Sequence, residues 1–331
     1  MSQFFSYSKT MSQIYKNSEG FSYKYPENHP IVSLIYLLMA VVVSYFVFSS
    51  LGIAIGVAIY GPDVLATLPE VMSGQSTGNL TFLKLFLAVS SIGTFIIPAL
   101  LLKFIERHRT FYLDFSLNTP ITLIAITVAI MLVSNPFLEL TSTINQQMQL
   151  PAFLSEMEEW MKTKELEMKT LTENILKVSS VSDLLVNLVV IAVIPAIGEE
   201  LFFRGCLQPI FHRWTKNAHL GIWITAIIFA AIHVQFYGFL PRMLMGAVFG
   251  YMLYWSRSIW LPIIAHFVNN ATAVIYTFVL LKQGKSFEEI NSQMMSNWMV
   301  YVLSIGLFCF LLLLLKTKAN GKGLEKDICN D

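Results

Sequence analysis

Long apolar runs alternate with short polar connections along this chain, and the runs have the length that crosses a bilayer, ~20 residues for a hydrocarbon core of ~30 Å. Spans are predicted at about Ile31–Tyr60, Phe82–Ile105, Pro120–Leu140, Leu184–Arg213, Leu220–Phe236, Met243–Trp255, Ile259–Leu281 and Trp298–Leu315. Gly52 and Gly56 in the first, and Gly246 and Gly250 in the sixth, mark close helix packing, and the short sixth span is expected inside the bundle. Gly61–Asn79 reads as a loop rich in Gly, Pro and Ser. The fourth span would measure ~45 Å at ~1.5 Å per residue, so it must tilt, break near Pro195 or Gly205, or project from the membrane.

One long hydrophilic stretch interrupts this pattern, from Thr141 to Asp183. Within it, SEMEEWMKTKELEMKTLTENILKV sets Met157, Met161, Met168, Leu171 and Ile175 at helical steps among mixed Glu and Lys. That pattern predicts an amphipathic helix that lies on the surface or caps the bundle, either as a solvated face or as a substrate gate.

Composition agrees with the pattern. Of 331 residues, 55% are hydrophobic and 13% charged, about half the charged fraction of soluble domains. The fold class is all-α, a polytopic membrane protein of about eight transmembrane helices. A net charge of +1 gives no reason to expect nucleic acid. Cys206, Cys309 and Cys329 have neither disulfide-framework nor zinc-finger spacing. The first thirty residues are polar and aromatic and precede a long apolar run, which fits an uncleaved first span.

With the N-terminus inside, thirteen Lys and Arg fall in cytoplasmic segments: Lys9, Lys16, Lys24, Lys103, Arg107, Arg109, Arg213, Lys216, Arg257, Lys316, Lys318, Lys322 and Lys326. Eight others fall outside, four of them in the long acidic loop, so both termini are expected in the cytoplasm and the protein in the plasma (inner) membrane. The organisation is then 1–30, a cytoplasmic segment; 31–181, three spans and an amphipathic extracytoplasmic linker; 182–281, the core; 282–331, a last span and cytoplasmic tail.

The fourth span carries the anomaly. VIPAIGEELFFRGCLQPIFHR, Val193 to Arg213, places Glu199, Glu200 and Arg204 in apolar surroundings, where a charge costs at least a few kcal/mol and usually faces a bundle interior. Glu200 and Arg204, four apart, share a helical face and can pair. Glu199 lies ~100° away and is free for another partner. Phe229 and His233 in the fifth span, and His266 and Asn270 in the seventh, repeat the four-residue spacing. A carboxylate and a histidine sharing a proton with water make a general base for hydrolysis, and His with Asn supplies donors for an oxyanion. The same carboxylates and imidazoles, Glu199, Glu200, His233 and His266, could instead hold a divalent metal such as zinc; HExxH is absent.

EELFFR (Glu199–Arg204), FAAIH (Phe229–His233) and HFVNN (His266–Asn270) resemble the EExxxR, FxxxH and HxxxN motifs of the CAAX-protease and bacteriocin-processing (CPBP/Abi) intramembrane proteases, over about Ser182 to Tyr276. The resemblance implies an eight-helix intramembrane endopeptidase enclosing a catalytic cavity, acting on a membrane-associated or prenylated protein or peptide. Carried over, Glu199 would activate water with Glu200 and His233 near it, His266 and Asn270 would form the oxyanion site, Arg204 would fix Glu200, and Phe229 would orient the site. A metal-free glutamate mechanism is preferred, with zinc as the alternative. The competing functions are a non-catalytic bacteriocin-immunity or peptide-binding protein on the same fold, and a proton-coupled carrier with the Glu pair as relay.

Overall fold

The structure is a computed structural model that describes residues 28–73, 78–106, 119–292 and 298–328. Lys9, Lys16, Lys24, Arg107, Arg109 and Cys329 lie outside the described residues. All regular elements described are helices: α1 (Pro30–Tyr60), α2 (Val64–Met72), α3 (Leu80–Ile105), α4 (Ile121–Val133), α5 (Asn135–Gln146), α6 (Ser155–Leu176), α7 (Val181–Thr215), α8 (Ala218–Ala231), α9 (Phe239–Ser256), α10 (Trp260–Lys282), α11 (Phe287–Ser292) and α12 (Trp298–Ile328), with 3-10 turns before α6 and α9. The protein is an all-α, multi-pass membrane protein.

Six of these helices are long and apolar enough to cross a bilayer, and the bent pair α4–α5 makes seven. The predicted third span therefore does not run straight to Leu140: it bends by 44° between Val133 and Asn135. Pro136 has no N–H for the Leu132 carbonyl four residues earlier, and the Asn135 side chain donates to that oxygen at 3.2 Å. The predicted fifth span is also corrected. α8 has 14 residues, ~21 Å of helix against a ~30 Å core, and ends before His233. Eight crossings require this short helix to be completed by the turn that follows it.

One expected loop holds a helix, and the amphipathic helix expected in the long hydrophilic stretch is present. Gly61–Asn79 contains α2, whose Val64 and Val71 are buried against Phe82 and Leu83 respectively. The long hydrophilic stretch contains α6, and only part of its apolar stripe docks: Leu171 and Ile175 are buried with Val71 and Leu83, whereas Met157 is exposed. Asn187 of α7 donates to the Ile175 carbonyl at 2.9 Å and ties α6 to the bundle.

α7 runs unbroken from Val181 to Thr215, with wider π-helical turns at Leu188–Val193 and Phe203–Leu207 rather than a break at Pro195 or Gly205. Such turns frequently mark functional positions. Between them, Gly198 lets α7 approach Phe95 and Ile96 in a third π-turn, in α3, where an added Cβ would come within 3.2 Å of both. The Glu pair is thereby held against a packed wall. Its other neighbours are α10 and α9; the latter is longer than the short span predicted, an 18-residue helix, and is the most buried of the six crossing helices.

Candidate active site

Glu200 and Arg204 are both fully buried, and the Arg204 Nη1 donates to Glu200 Oε1 at 2.8 Å. Arg204 Nη2 donates to the Gly246 carbonyl of α9 at 2.9 Å. Gly at 246 also lets α9 close on α8, because a Cβ there would come within 3.2 Å of the Phe229 ring and 3.3 Å of the Ala226 backbone. The guanidinium carbon lies 4.7 Å from the Phe229 ring centre and 5.3 Å from that of Phe249, so the buried cation is held by a carboxylate, a carbonyl and two aromatic faces.

The same Glu200 oxygen takes a second bond: His266 Nδ1 lies 2.8 Å from Oε1. An ionised carboxylate only accepts, so Nδ1 carries the hydrogen. His266 is stacked on Phe249 at 5.5 Å. His233 is fixed in the same sense: its Nδ1 lies 2.7 Å from the Phe229 carbonyl, an obligate acceptor, so Nδ1 again carries the hydrogen. Each imidazole, when neutral, therefore offers a lone pair at Nε2. Phe229 sits between them, its ring 5.0 Å from that of His233 and 6.0 Å from that of His266.

Glu199 differs from its neighbour. Its Oε2 is buried and has no hydrogen-bond partner; Glu200 Oε2 and Arg204 Nε share that condition. Buried polar atoms are nearly always satisfied, so three orphans in one cluster mark a site rather than a finished scaffold.

Asn270 occupies a more structural position than its spacing implies. Pro195 has no N–H for the Ile191 carbonyl, and Asn270 Nδ2 donates to that oxygen at 2.9 Å. Its Oδ1 accepts from Asn269 Nδ2 at 3.1 Å. One N–H of Asn270 is thus committed to α7, and one remains.

Among the described residues no three His, Cys, Asp or Glu side chains are gathered as a metal ion would require. Glu200 Oε1 and the Nδ1 atoms of His233 and His266 are hydrogen-bonded, and Glu199 Oε2, Glu200 Oε2 and the two Nε2 atoms are the groups left for chemistry.

One charged residue near this cluster does not emerge from the sequence pattern. Arg242 stands just before the predicted sixth span and reads as a loop cation, but α9 begins at Phe239 and takes Arg242 into its first turn. Pro241, a residue favoured at helix starts, was the signal available. The segment that carries it is gripped from two sides: Asn145 accepts from the Leu240 N–H at 2.7 Å and donates to the Phe236 carbonyl at 3.1 Å, while Glu165 of α6 accepts from the Tyr237 N–H at 3.3 Å.

A helix bundle with a buried Glu, Arg and His cluster at its centre defines a membrane protein built around an intramembrane polar site. Residues 181–272 match the family model described as Type II CAAX prenyl endopeptidase Rce1-like, so the motif-bearing segment is similar to the CAAX proteases. Among curated relatives, the chain is 27% identical over 112 residues to the "Uncharacterized protein YpbD" of Bacillus subtilis (strain 168), covering 32% of this chain and 54% of YpbD. It is 29% identical over 88 residues to the "Putative membrane peptidase YdiL" of the same organism, covering 27% of this chain and 36% of YdiL. The chain thus spans about half of the first relative and about a third of the second. No solved structure matches it.

Proposed function

We propose that the protein is an intramembrane endopeptidase that hydrolyses a peptide bond in a membrane-associated or lipidated, CAAX-like protein or peptide, with Glu199 as the residue that activates water. The observation that carries this reading is that Glu200 is held through Oε1 by Arg204 and His266, whereas no side-chain hydrogen bond among the described residues holds Glu199, whose Oε2 is buried and unpartnered. A desolvated, uncommitted carboxylate beside two oriented imidazoles is the equipment for general-base hydrolysis.

In the proposed step, water is held by Glu199 and by the Nε2 lone pair of His233. Glu199 takes one proton as the water oxygen bonds to the scissile carbonyl carbon, and the carbonyl π pair moves onto its oxygen. His266, when protonated at Nε2, and the second N–H of Asn270 are the donors to that oxyanion. The tetrahedral species then expels the amine, which receives the proton from Glu199. The family-model match over 181–272 and the name of one relative agree with a protease.

The deciding experiment is cleavage of a lipid-anchored peptide by purified protein in vesicles. Glu199→Gln is expected to lower the rate by about 100- to 10,000-fold with insertion unchanged; full activity in this variant would overturn the assignment. Metal analysis and chelator treatment of the same preparation decide the divalent-metal alternative. A fused reporter at the C-terminus, expected active only in the cytoplasm, tests the proposed plasma-membrane topology. An immunity phenotype that survives Glu199→Gln would instead favour a non-catalytic binding role.

A further inference from the structure

Three residues other than glycine have a positive φ among the described residues, and two of them, Lys216 and Arg257, end helices α7 and α9, where a left-handed residue is an ordinary cap. The third, Val234, with a φ of 52°, directly follows His233. A β-branched residue in this region is an outlier. Its Cβ crowds the next carbonyl, and the left-handed form is disfavoured by about 5- to 30-fold in population. Such a conformation persists only where the surroundings impose it.

The residues on either side impose it here. On one side the His233 ring is seated on the last turn of α8 by its bond to the Phe229 carbonyl, and the Val234 N–H donates to the Ala231 carbonyl at 3.1 Å. On the other side Asn145, buried in the last turn of α5, donates to the Phe236 carbonyl and accepts from the Leu240 N–H. The donations from Arg242 to the main-chain and side-chain oxygens of Gln235 are internal to this segment. Glu165 of α6 adds one longer bond, to the Tyr237 N–H at 3.3 Å. Asn145 is thus the buried side chain that fastens both Phe236 and Leu240 to a neighbouring helix. Val234 joins the two anchored parts of the chain, and its left-handed backbone is the join.

We propose that Asn145 is a positioning residue for hydrolysis: by holding Phe236 and Leu240 it keeps Val234 in its disfavoured conformation, and so keeps His233 seated on Phe229 with Nε2 free for water. This rests on the endopeptidase reading above. Asn145 touches no reacting atom and acts only through the backbone on either side of Val234.

The test uses the full chain in vesicles, the lipid-anchored peptide, and the 15N spectrum of histidine-labelled protein, with the His233 signals assigned by their loss in His233→Gln. Asn145→Leu is expected to lower kcat by about 5- to 30-fold, the population penalty of a left-handed Val, with KM nearly unchanged and the Nδ1–H signature of His233 diminished. Glycine enters the left-handed region freely. Adding Val234→Gly to Asn145→Leu is therefore expected to restore most of the rate and of the signature. Native kcat and an unaltered His233 signature in Asn145→Leu overturn the proposal. So does a loss that Val234→Gly leaves in place or deepens, which is what general loosening of the bundle gives. If Asn145→Leu does not fold, Asn145→Asp, which keeps the acceptor for Leu240 and removes the donor to Phe236, supplies the same comparison with and without Val234→Gly. The His233 signature is also read in the Glu199→Gln protein. Absence of any Glu199-dependent cleavage defeats the endopeptidase reading, while the response of that signature to Asn145→Leu and Val234→Gly still decides the role of Asn145.

Discussion

His233 donates through Nδ1 to the main-chain oxygen of Phe229 at 2.7 Å. The four-residue spacing of these two residues on α8 survives although the helix has ended, because the ring folds back on the last turn. His233 is thereby fixed with its Nε2 lone pair away from the backbone, and the Phe229 ring is left to face Arg204.

His233→Ala is expected to lower kcat/KM by about 100- to 10,000-fold with the melting midpoint in detergent nearly unchanged. Phe229→Ala should behave oppositely in part. Its ring touches Arg204 and both histidines, and removing a core Phe costs ~3–5 kcal/mol. A thermal melt alongside the activity assay separates the two effects.

The Glu200–Arg204 pair predicts strong coupling. Removing either partner leaves an uncompensated buried charge, worth ~3–5 kcal/mol. Arg204→Met and Glu200→Gln should each destabilise the protein more than the double substitution does. Additive losses in the melting free energies would show that the two charges are not energetically paired.

Close helix contacts order the glycines. A Cβ at Gly221 would lie 2.8 Å from the His212 main-chain nitrogen and 3.2 Å from the Gln208 carbonyl, whereas one at Gly250 would meet Gln208 Oε1 at 2.7 Å and Ile222 Cγ2 at 2.8 Å. Side chains can turn aside and backbone cannot. Gly221→Ala is therefore expected to lower stability by ~1–3 kcal/mol and Gly250→Ala by less, read from the melts of both.

The amphipathic helix α6 is held by its apolar end rather than by its charges. Lys162 donates to Glu158 at 2.7 Å, and this bond holds the Glu158 carboxyl below its ordinary range and the Lys162 ammonium above its own. The Glu158 contribution is present above the ordinary carboxylate range and lost as pH falls through its lowered value. The Lys162 contribution is present below the ordinary lysine range and lost as pH rises through its raised one. The Lys162 side chain is 62% exposed, so water screens the pair. Lys162→Met should leave the melting midpoint unchanged from about pH 6 to 9, where both groups stay charged. Leu171→Asp, which puts a carboxylate into the buried seam with Val71 and Leu83, should release α6 and speed its proteolysis.

The sequence by itself determined the class of the protein, the approximate spans and the residues worth suspecting. Apolar runs and four-residue spacings are local properties, so Glu200–Arg204 and the Phe229–His233 face could be read from the chain, and the three motifs pointed to the family that matches 181–272. Tertiary structure decided what depends on distant partners. His266 meets the Glu200 oxygen across 66 positions, and Asn270 answers a carbonyl orphaned by Pro195 across 79. Arg242 changed from a loop charge to a cradled cation because α9 starts four residues earlier than its hydrophobic run. A proline's missing N–H, a glycine's missing Cβ and a carboxylate's second lone pair each create a demand at one place in the chain, and only the packed bundle shows which side chain meets it.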